Sequence, residues 1–326
     1  MVELHDVFPE GEQYVATNYA RTAFEVAIQM EELRDSRLLL PSFSCGGTFE
    51  RLFERYGIEP VFVDIEFPSL QMDLELAQQQ ITDTDPDAVL LVHMFGVPGP
   101  VNQWVDLCED HEMVLIEDCA RALGATVNGR LVGGFGDYAF FSLQKVSPAM
   151  KGGLLVAQRG GSFSIGDAST RVTYYGPAVY GSRNQLPPVF DTRELDPFNS
   201  WLFKDYLDQC HKQESARQRR LALELLDNLG EHGFRFQPHH PGRSYYWLAC
   251  RVPNRRDELF DRLRDQGVPV YKIWQEPLGL IREPDAFADQ YPRSATLVDD
   301  IIHFPIRTLD SDSVPTIQSI VDSFYE

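Results

Sequence analysis

Short, continuously apolar runs alternate with amphipathic stretches along the first half of the chain. Arg37-Leu-Leu-Leu-Pro41, Pro60-Val-Phe-Val-Asp64, Ala88-Val-Leu-Leu-Val-His93, Met113-Val-Leu-Ile-Glu-Asp118, Tyr138-Ala-Phe-Phe-Ser142 and Leu154-Leu-Val-Ala157 read as strands. Between them, Thr22 to Leu33 has helical spacing (Ala23, Phe24, Ala27, Ile28, Met30), Thr48 to Tyr56 reads as a helix closed by Gly57, and Gln103 to His111 as another. Strands apolar on both faces and separated by helices predict an α/β fold: a mostly parallel central sheet flanked by helices. Ligands of such sheets collect at the C-terminal strand ends, where Asp118 and Lys145 fall.

From Gly160 to Pro197 the pattern lapses into Gly, Ser, Tyr and Pro, which predicts a long irregular segment. Asn199 to Leu229 then carries a long helical pattern ending at Gly230. The tail offers Tyr245 to Val252 and Val268 to Ile273 as strands, with Asp257 to Gln266 and Ser311 to Tyr325 as helices. The division expected is a large domain over residues 1–205, and a linking helix with a small α+β domain over 206–326.

Composition narrows the partners. The 29 basic residues face 49 acidic ones, a net charge of −20, which argues against nucleic acid or an anionic membrane surface as a partner. The five cysteines (Cys45, Cys108, Cys119, Cys210, Cys250) form no C-x-x-C pair, so neither a metal site nor a disulfide framework is signalled, and a reducing cytoplasm fits. No apolar run approaches the roughly 18 residues of a membrane span, and the N-terminus shows no basic segment followed by an apolar one.

Only five lysines occur, and Lys145 is the first of them, at the end of Phe-Phe-Ser-Leu-Gln-Lys and seven residues before Gly152-Gly153. An amine there, downstream of a strand ending in Glu117-Asp118, is what an aldehyde cofactor needs: a Schiff-base partner, and a carboxylate that keeps its ring nitrogen protonated. That chemistry points to pyridoxal phosphate. Pro41-Ser-Phe-Ser-Cys-Gly-Gly-Thr48 would suit its phosphate, since the free N–H groups of a helix N-terminus attract a dianion, Gly46 and Gly47 permit close approach, and Thr48 adds a hydroxyl. Ser142 is a second candidate donor. Taken singly, the same residues also fit a solvated strand-end lysine, a Gly-rich turn capped by Thr48, a plain strand hydroxyl and an Asp that caps the next helix.

Taken as an ordered set, Val-Leu-Ile-Glu-Asp118-Cys-Ala-Arg-Ala-Leu-Gly-Ala-Thr, Gly133-Gly-Phe-Gly-Asp137, Phe-Ser142-Leu-Gln-Lys145 and Gly152-Gly153 resemble the DegT-type (DegT/DnrJ/StrS) sugar aminotransferases. The likeness runs from about Tyr14 to the C-terminus and includes Val92-His-Met-Phe-Gly96 and Ile302-His-Phe-Pro305. It implies fold type I, pyridoxal 5'-phosphate, and a homodimer with the active site at its interface. It further implies ping-pong amino transfer, from glutamate to a keto sugar on a nucleotide diphosphate. Position by position, it makes Lys145 the cofactor lysine, Asp118 the ring-nitrogen partner, Gly47 and Thr48 the phosphate turn, and Ser142 a phosphate contact. Cys45 stands where relatives place a stacking aromatic ring, and Arg121 where they place Gln or His beside the cofactor. The Ser142–Lys145 spacing is two residues short of the common form, and no Gly-Tyr-Asn segment follows Gly160. Arg21, Arg183 and Arg193 are candidates for an anionic substrate. Two other readings stay open: a homologue that binds the cofactor without turnover, and a pyridoxal-phosphate enzyme of another reaction type acting on a sugar.

Overall fold

The computed structural model describes residues 13–17, 19–146, 152–159, 190–191 and 211–326. The expected irregular segment, the start of the long helix, Arg183 and Arg193 lie outside or largely outside them. Ten strands come first: β1 Gln13–Thr17, β2 Arg37–Pro41, β3 Glu59–Val63, β4 Ala88–Val92, β5 Val114–Asp118, the hairpin β6 Thr126–Val127 and β7 Arg130–Leu131, then β8 Tyr138–Ser142, β9 Gly153–Ala157 and β10 Phe190–Asp191. Eight of them form one sheet in the order β10-β1-β9-β8-β5-β4-β2-β3. Neighbours from β8 to β3 are parallel, whereas β9, β1 and β10 pair antiparallel. The mostly parallel α/β sheet is therefore as expected.

Helices cover both faces, which is why the strands carry no polar alternation. On one side, Phe24 of helix α1 (Ala20–Met30) stacks on Phe140 at 5.0 Å and meets Phe49 of α2 (Gly46–Tyr56) edge-on at 5.2 Å. On the other, α3 (Leu74–Thr84) and α4 (Val101–Asp110) bury Ala77, Ile81 and Trp104 against Leu39, Val89 and Leu91. Helix α3 was not legible because it buries only Ala77 and Ile81. Its start is fixed by Asp73, whose carboxylate accepts from the N–H groups of Glu75 and Leu76. Helix α2 ends as expected at Gly57, in the left-handed conformation with φ 66°.

A second, three-stranded antiparallel sheet follows, in the order β11 (Arg235–Phe236), β12 (Leu248–Arg251), β13 (Ile301–Phe304). Helices His211–Gly230, Arg256–Asp265 and Ser313–Tyr325 close over it around a separate core that includes Leu225, Leu259, Leu263 and Ile317. The strand expected at Val268 to Ile273 is a correction. Only Tyr271 pairs there, exchanging both backbone hydrogen bonds with His303, and Pro269 has no N–H to extend the ladder. Strand β12 pairs instead with β11 and β13.

Backbone hydrogen bonds seat this segment against the C-terminal ends of the main strands: Ser244 N–H to the Gly96 carbonyl, Leu278 to Ser44 and Gly279 to Ser42. Among the described residues no helix is long and apolar enough to cross a membrane.

Candidate functional site

Register brings the site together. Val92 of β4 lies beside Asp118 of β5, Asp118 beside Phe140 of β8, and Ser142 beside Gly153 of β9. Strand β8 runs into a one-turn helix, Leu143–Val146, which carries Lys145. Gly152 ties the far side of this turn, accepting from Leu143 N–H at 3.1 Å. Its φ is 110° and a Cβ there would lie 2.6 Å from the Thr17 carbonyl oxygen, so only glycine fits.

Lys145 is half-buried, and its amine is pushed down to about 8. Burial is the largest cause, followed by the positive charges of Arg121 and Arg21; Asp118 and Cys45 oppose them. Asp118, the last residue of β5, is buried, and burial raises its carboxyl despite the charges of Lys145 and Arg121 and the N–H of Ala120, which donates to Oδ1 at 2.9 Å.

The adjacent Glu117 faces the other way, because alternate strand residues do. His93 Nε2 donates to its Oε2 at 2.9 Å, with Gly133 N–H at 2.8 Å, while Phe135 and Gly136 N–H donate to Oε1 at 2.8 and 2.7 Å. His93 Nδ1 accepts from Gly99 N–H, which leaves the ring proton on Nε2. These bonds hold the Glu117 carboxyl below its usual value against the opposing effect of complete burial. His93, Glu117 and Cys119 are close enough together to resemble a metal-ligand trio. The donor electrons of His93 and Glu117 are committed to hydrogen bonds instead, and burial keeps the Cys119 thiol protonated by raising it well above its usual value. The Gly-Gly-Phe-Gly segment of the sequence thus has a physical role: it anchors the back of β5 directly behind Asp118.

Helix α2 starts at Gly46, two residues before the position expected, so Cys45 rather than Thr48 is the N-cap. Cys45 makes no side-chain cap bond, so the first N–H groups of α2 have no capping oxygen from it. A Cβ on Gly46 would lie 2.2 Å from the Glu276 carbonyl oxygen, whereas one on Gly47 would meet nothing within 4 Å. Close approach of a ligand is therefore open at Gly47, and the space at Gly46 is taken by the protein itself. Thr48 is part-buried, Cys45 partly exposed and Ser142 buried.

Sequence reasoning missed an aromatic group opposite Lys145. The Arg121 guanidinium lies 4.6 Å over the Trp247 ring and 6.0 Å from that of Phe95. Phe95 in turn packs on Trp274 at 5.4 Å and on His303 at 4.5 Å. Phe95 and Trp274 both hold left-handed backbone, with φ 51° and 57°, a strain of about 1–2 kcal/mol each for residues with a Cβ. His303 is fully buried with no hydrogen-bond partner at Nε2, and burial and the charge of Arg121 push it well below its usual value. The segments holding Phe95 and His303 had stood out as motifs, without a role; Trp247 and Trp274 had no sequence signal.

The chain's resemblances agree with this geometry. A model of the DegT/DnrJ/EryC1/StrS aminotransferase family matches residues 7–162. A dTDP-4-dehydro-2,3,6-trideoxy-D-glucose 4-aminotransferase from Saccharopolyspora spinosa is 33% identical over 298 residues, covering 82% of this chain and 75% of that protein. The chain belongs to the DegT/DnrJ/EryC1/StrS aminotransferase family. A GDP-perosamine synthase from Vibrio cholerae is 36% identical over 122 residues, 37% of this chain and only 33% of that enzyme's length. In fold, a putative sugar aminotransferase from Streptococcus pneumoniae in its PLP form superposes with a TM-score of 0.78 at 16% identity, over 98% of this chain and 89% of that one.

The family's cofactor is pyridoxal phosphate, and the residues present suit it. A half-buried amine of lowered basicity, a buried carboxylate, and a helix N-terminus opening at Gly47 match an aldehyde, a ring nitrogen and a phosphate respectively.

Proposed function

We propose that the protein transfers an amino group from an amino-acid donor, glutamate, to a keto sugar carried on a nucleotide diphosphate. The observation that supports it most is Lys145, with its amine lowered to about 8 by burial and the charge of Arg121, against the charge of Asp118. Bound pyridoxal phosphate supplies an electron sink for charge developing on the carbon next to the substrate nitrogen.

Lys145 would hold the cofactor's aldehyde carbon and, as a free amine, would move the proton to and from the reacting carbon; a near-neutral basicity suits both directions. Asp118 would hold the ring nitrogen in its protonated form. The N–H groups at Gly47 and Thr48, with the Thr48 and Ser142 hydroxyls, would bind the phosphate. Cys45 would border the cofactor without supplying a stacking ring. Arg21 is the described arginine best placed to meet an anionic sugar nucleotide, because it faces Lys145 from the start of α1. The functional unit is a homodimer in a reducing cytoplasm, with a cofactor domain over 1–205 and a smaller one over 206–326.

The test is spectroscopic and then catalytic. The purified chain mixed with pyridoxal phosphate is expected to gain a visible absorbance band that Lys145→Ala lacks, and glutamate is expected to bleach it. No band in the wild type removes the reading; a band that glutamate leaves unchanged favours a homologue without turnover. A panel of nucleotide-linked keto sugars with glutamate then identifies the acceptor.

A further inference from the structure

We propose that Arg121 holds the α-carboxylate of the amino donor. The proposal rests on the reading of Lys145 above. A donor nitrogen that replaced the Lys145 amine would bring the donor's α-carbon next to Lys145, with its carboxylate one bond further on. A fixed cation beside the lysine is what such a carboxylate requires.

The turn after β5 carries Arg121, whose charge acts on Lys145. Cys119 N–H is tied to the Phe140 carbonyl, Ala120 N–H to Asp118 Oδ1, and Ala122 N–H to the Cys119 carbonyl. Ser244 Oγ donates to the Arg121 carbonyl at 3.4 Å from the C-terminal segment. The guanidinium itself lies against the Trp247 ring at 4.6 Å. Stacked in this way, it has a covered face while its N–H donors radiate in plane, the fork that meets a carboxylate edge-on. Stacking also holds a long side chain in one orientation, so little freedom remains to be lost on binding.

The neighbours leave this part to Arg121. His303, behind Phe95, is buried and kept neutral by burial and by Arg121 itself. Arg21 is the other cation that bears on Lys145, more weakly, and it lies over the Tyr19 ring at 4.4 Å. Asp118 is the carboxylate whose charge opposes them at the lysine. It accounts for the ring nitrogen and cannot attract a second carboxylate.

The experiment compares two amines on the full chain loaded with pyridoxal phosphate, following the visible spectrum: glutamate, and a simple primary alkylamine with no carboxylate. Arg121→Gln is expected to raise the half-saturating glutamate concentration roughly 10- to 100-fold, the worth of a charge-assisted pair. The alkylamine response should change less than about twofold, and Arg121→Lys should recover part of the loss. Should Arg121→Gln fail to fold, Trp247→Leu, which removes the stack and keeps the charge, is expected to shift glutamate in the same direction by a smaller factor. An equal shift for both amines overturns the proposal, as does unchanged glutamate binding with only the pH midpoint of the band displaced, which would assign Arg121 to the cofactor. Absence of a band in the wild type would instead strike the reading of Lys145, so the two failures are distinguishable.

Discussion

Adjacent carboxylates at the end of β5 meet different surroundings because successive strand residues face opposite sides of the sheet. Asp118 looks toward Lys145, while Glu117 receives four N–H donors from His93, Gly133, Phe135 and Gly136. In Glu117→Gln an amide NH₂ would oppose two of those donors, and we expect a loss of about 2–4 kcal/mol in urea denaturation. An unchanged midpoint would remove the network's structural role. At Lys145, the lowered basicity sets a pH dependence. The neutral amine is the nucleophile, so capture of pyridoxal phosphate by the cofactor-free protein should accelerate as pH rises through about 8 and level off above it. A lysine at its usual value of 10.5 would keep gaining across that range, and stopped-flow absorbance separates the two. Lys145 and Asp118 were legible because a titratable group ending an apolar run stands out. Phe95, Trp247, Trp274 and His303 were not, since their proximity comes from tertiary packing between distant segments.

Among the elements, α2 shows how a pair of glycines misleads a sequence reading. Gly46-Gly47 looks like a turn before a helix starting at Thr48, yet both residues are helical, and each lacks a side chain for a different reason. At Gly46 the Glu276 carbonyl occupies the space of a Cβ; at Gly47 that space is open. Gly46→Ala should therefore destabilise the protein by about 1–3 kcal/mol, through displacement of the Pro277 turn. Gly47→Ala should fold at least as well, since alanine favours a helix by up to about 1 kcal/mol over glycine, and yet bind pyridoxal phosphate more weakly. Parallel thermal melts and cofactor titrations on the two variants check this. Equal behaviour of both would mean that α2's N-terminus does not approach a ligand. The central strands were read nearly to the residue because burial on both faces leaves an unbroken apolar run. The false strand at Val268 to Ile273 had the right composition, but Pro269 and a lone Tyr271–His303 pairing stop it.

Across the whole molecule, Arg121 rests on Trp247 of the C-terminal segment, which packs in one cluster with Cys119, Phe141 and Leu154 of the main sheet. One junction between the two halves runs through Asp64, just past the end of β3. Its carboxylate accepts from the N–H groups of Arg293 and Ser294, each at 2.9 Å, and from Ser294 Oγ at 2.7 Å, while Ser294 Oγ also meets Ser42 Oγ at 2.8 Å. Asp64 therefore serves as a capping side chain supplied from a distant strand to the helix Pro292–Asp300, which leads directly into β13. Truncation to Asp64→Ala leaves buried donors at the helix start without an acceptor, a loss of about 2–4 kcal/mol. Because the helix packs Leu297 in the main-sheet core and leads into β13, which places Ile302 and Phe304 in the C-terminal core, loss of this cap should do more than lower the melting temperature. We expect the single calorimetric transition to broaden or split, with the C-terminal sheet melting first, and saturating pyridoxal phosphate to restore the main sheet's transition more than the other. A uniform shift of one sharp transition would show instead that the backbone contacts at Ser42, Ser44 and Gly96 couple the cores without Asp64.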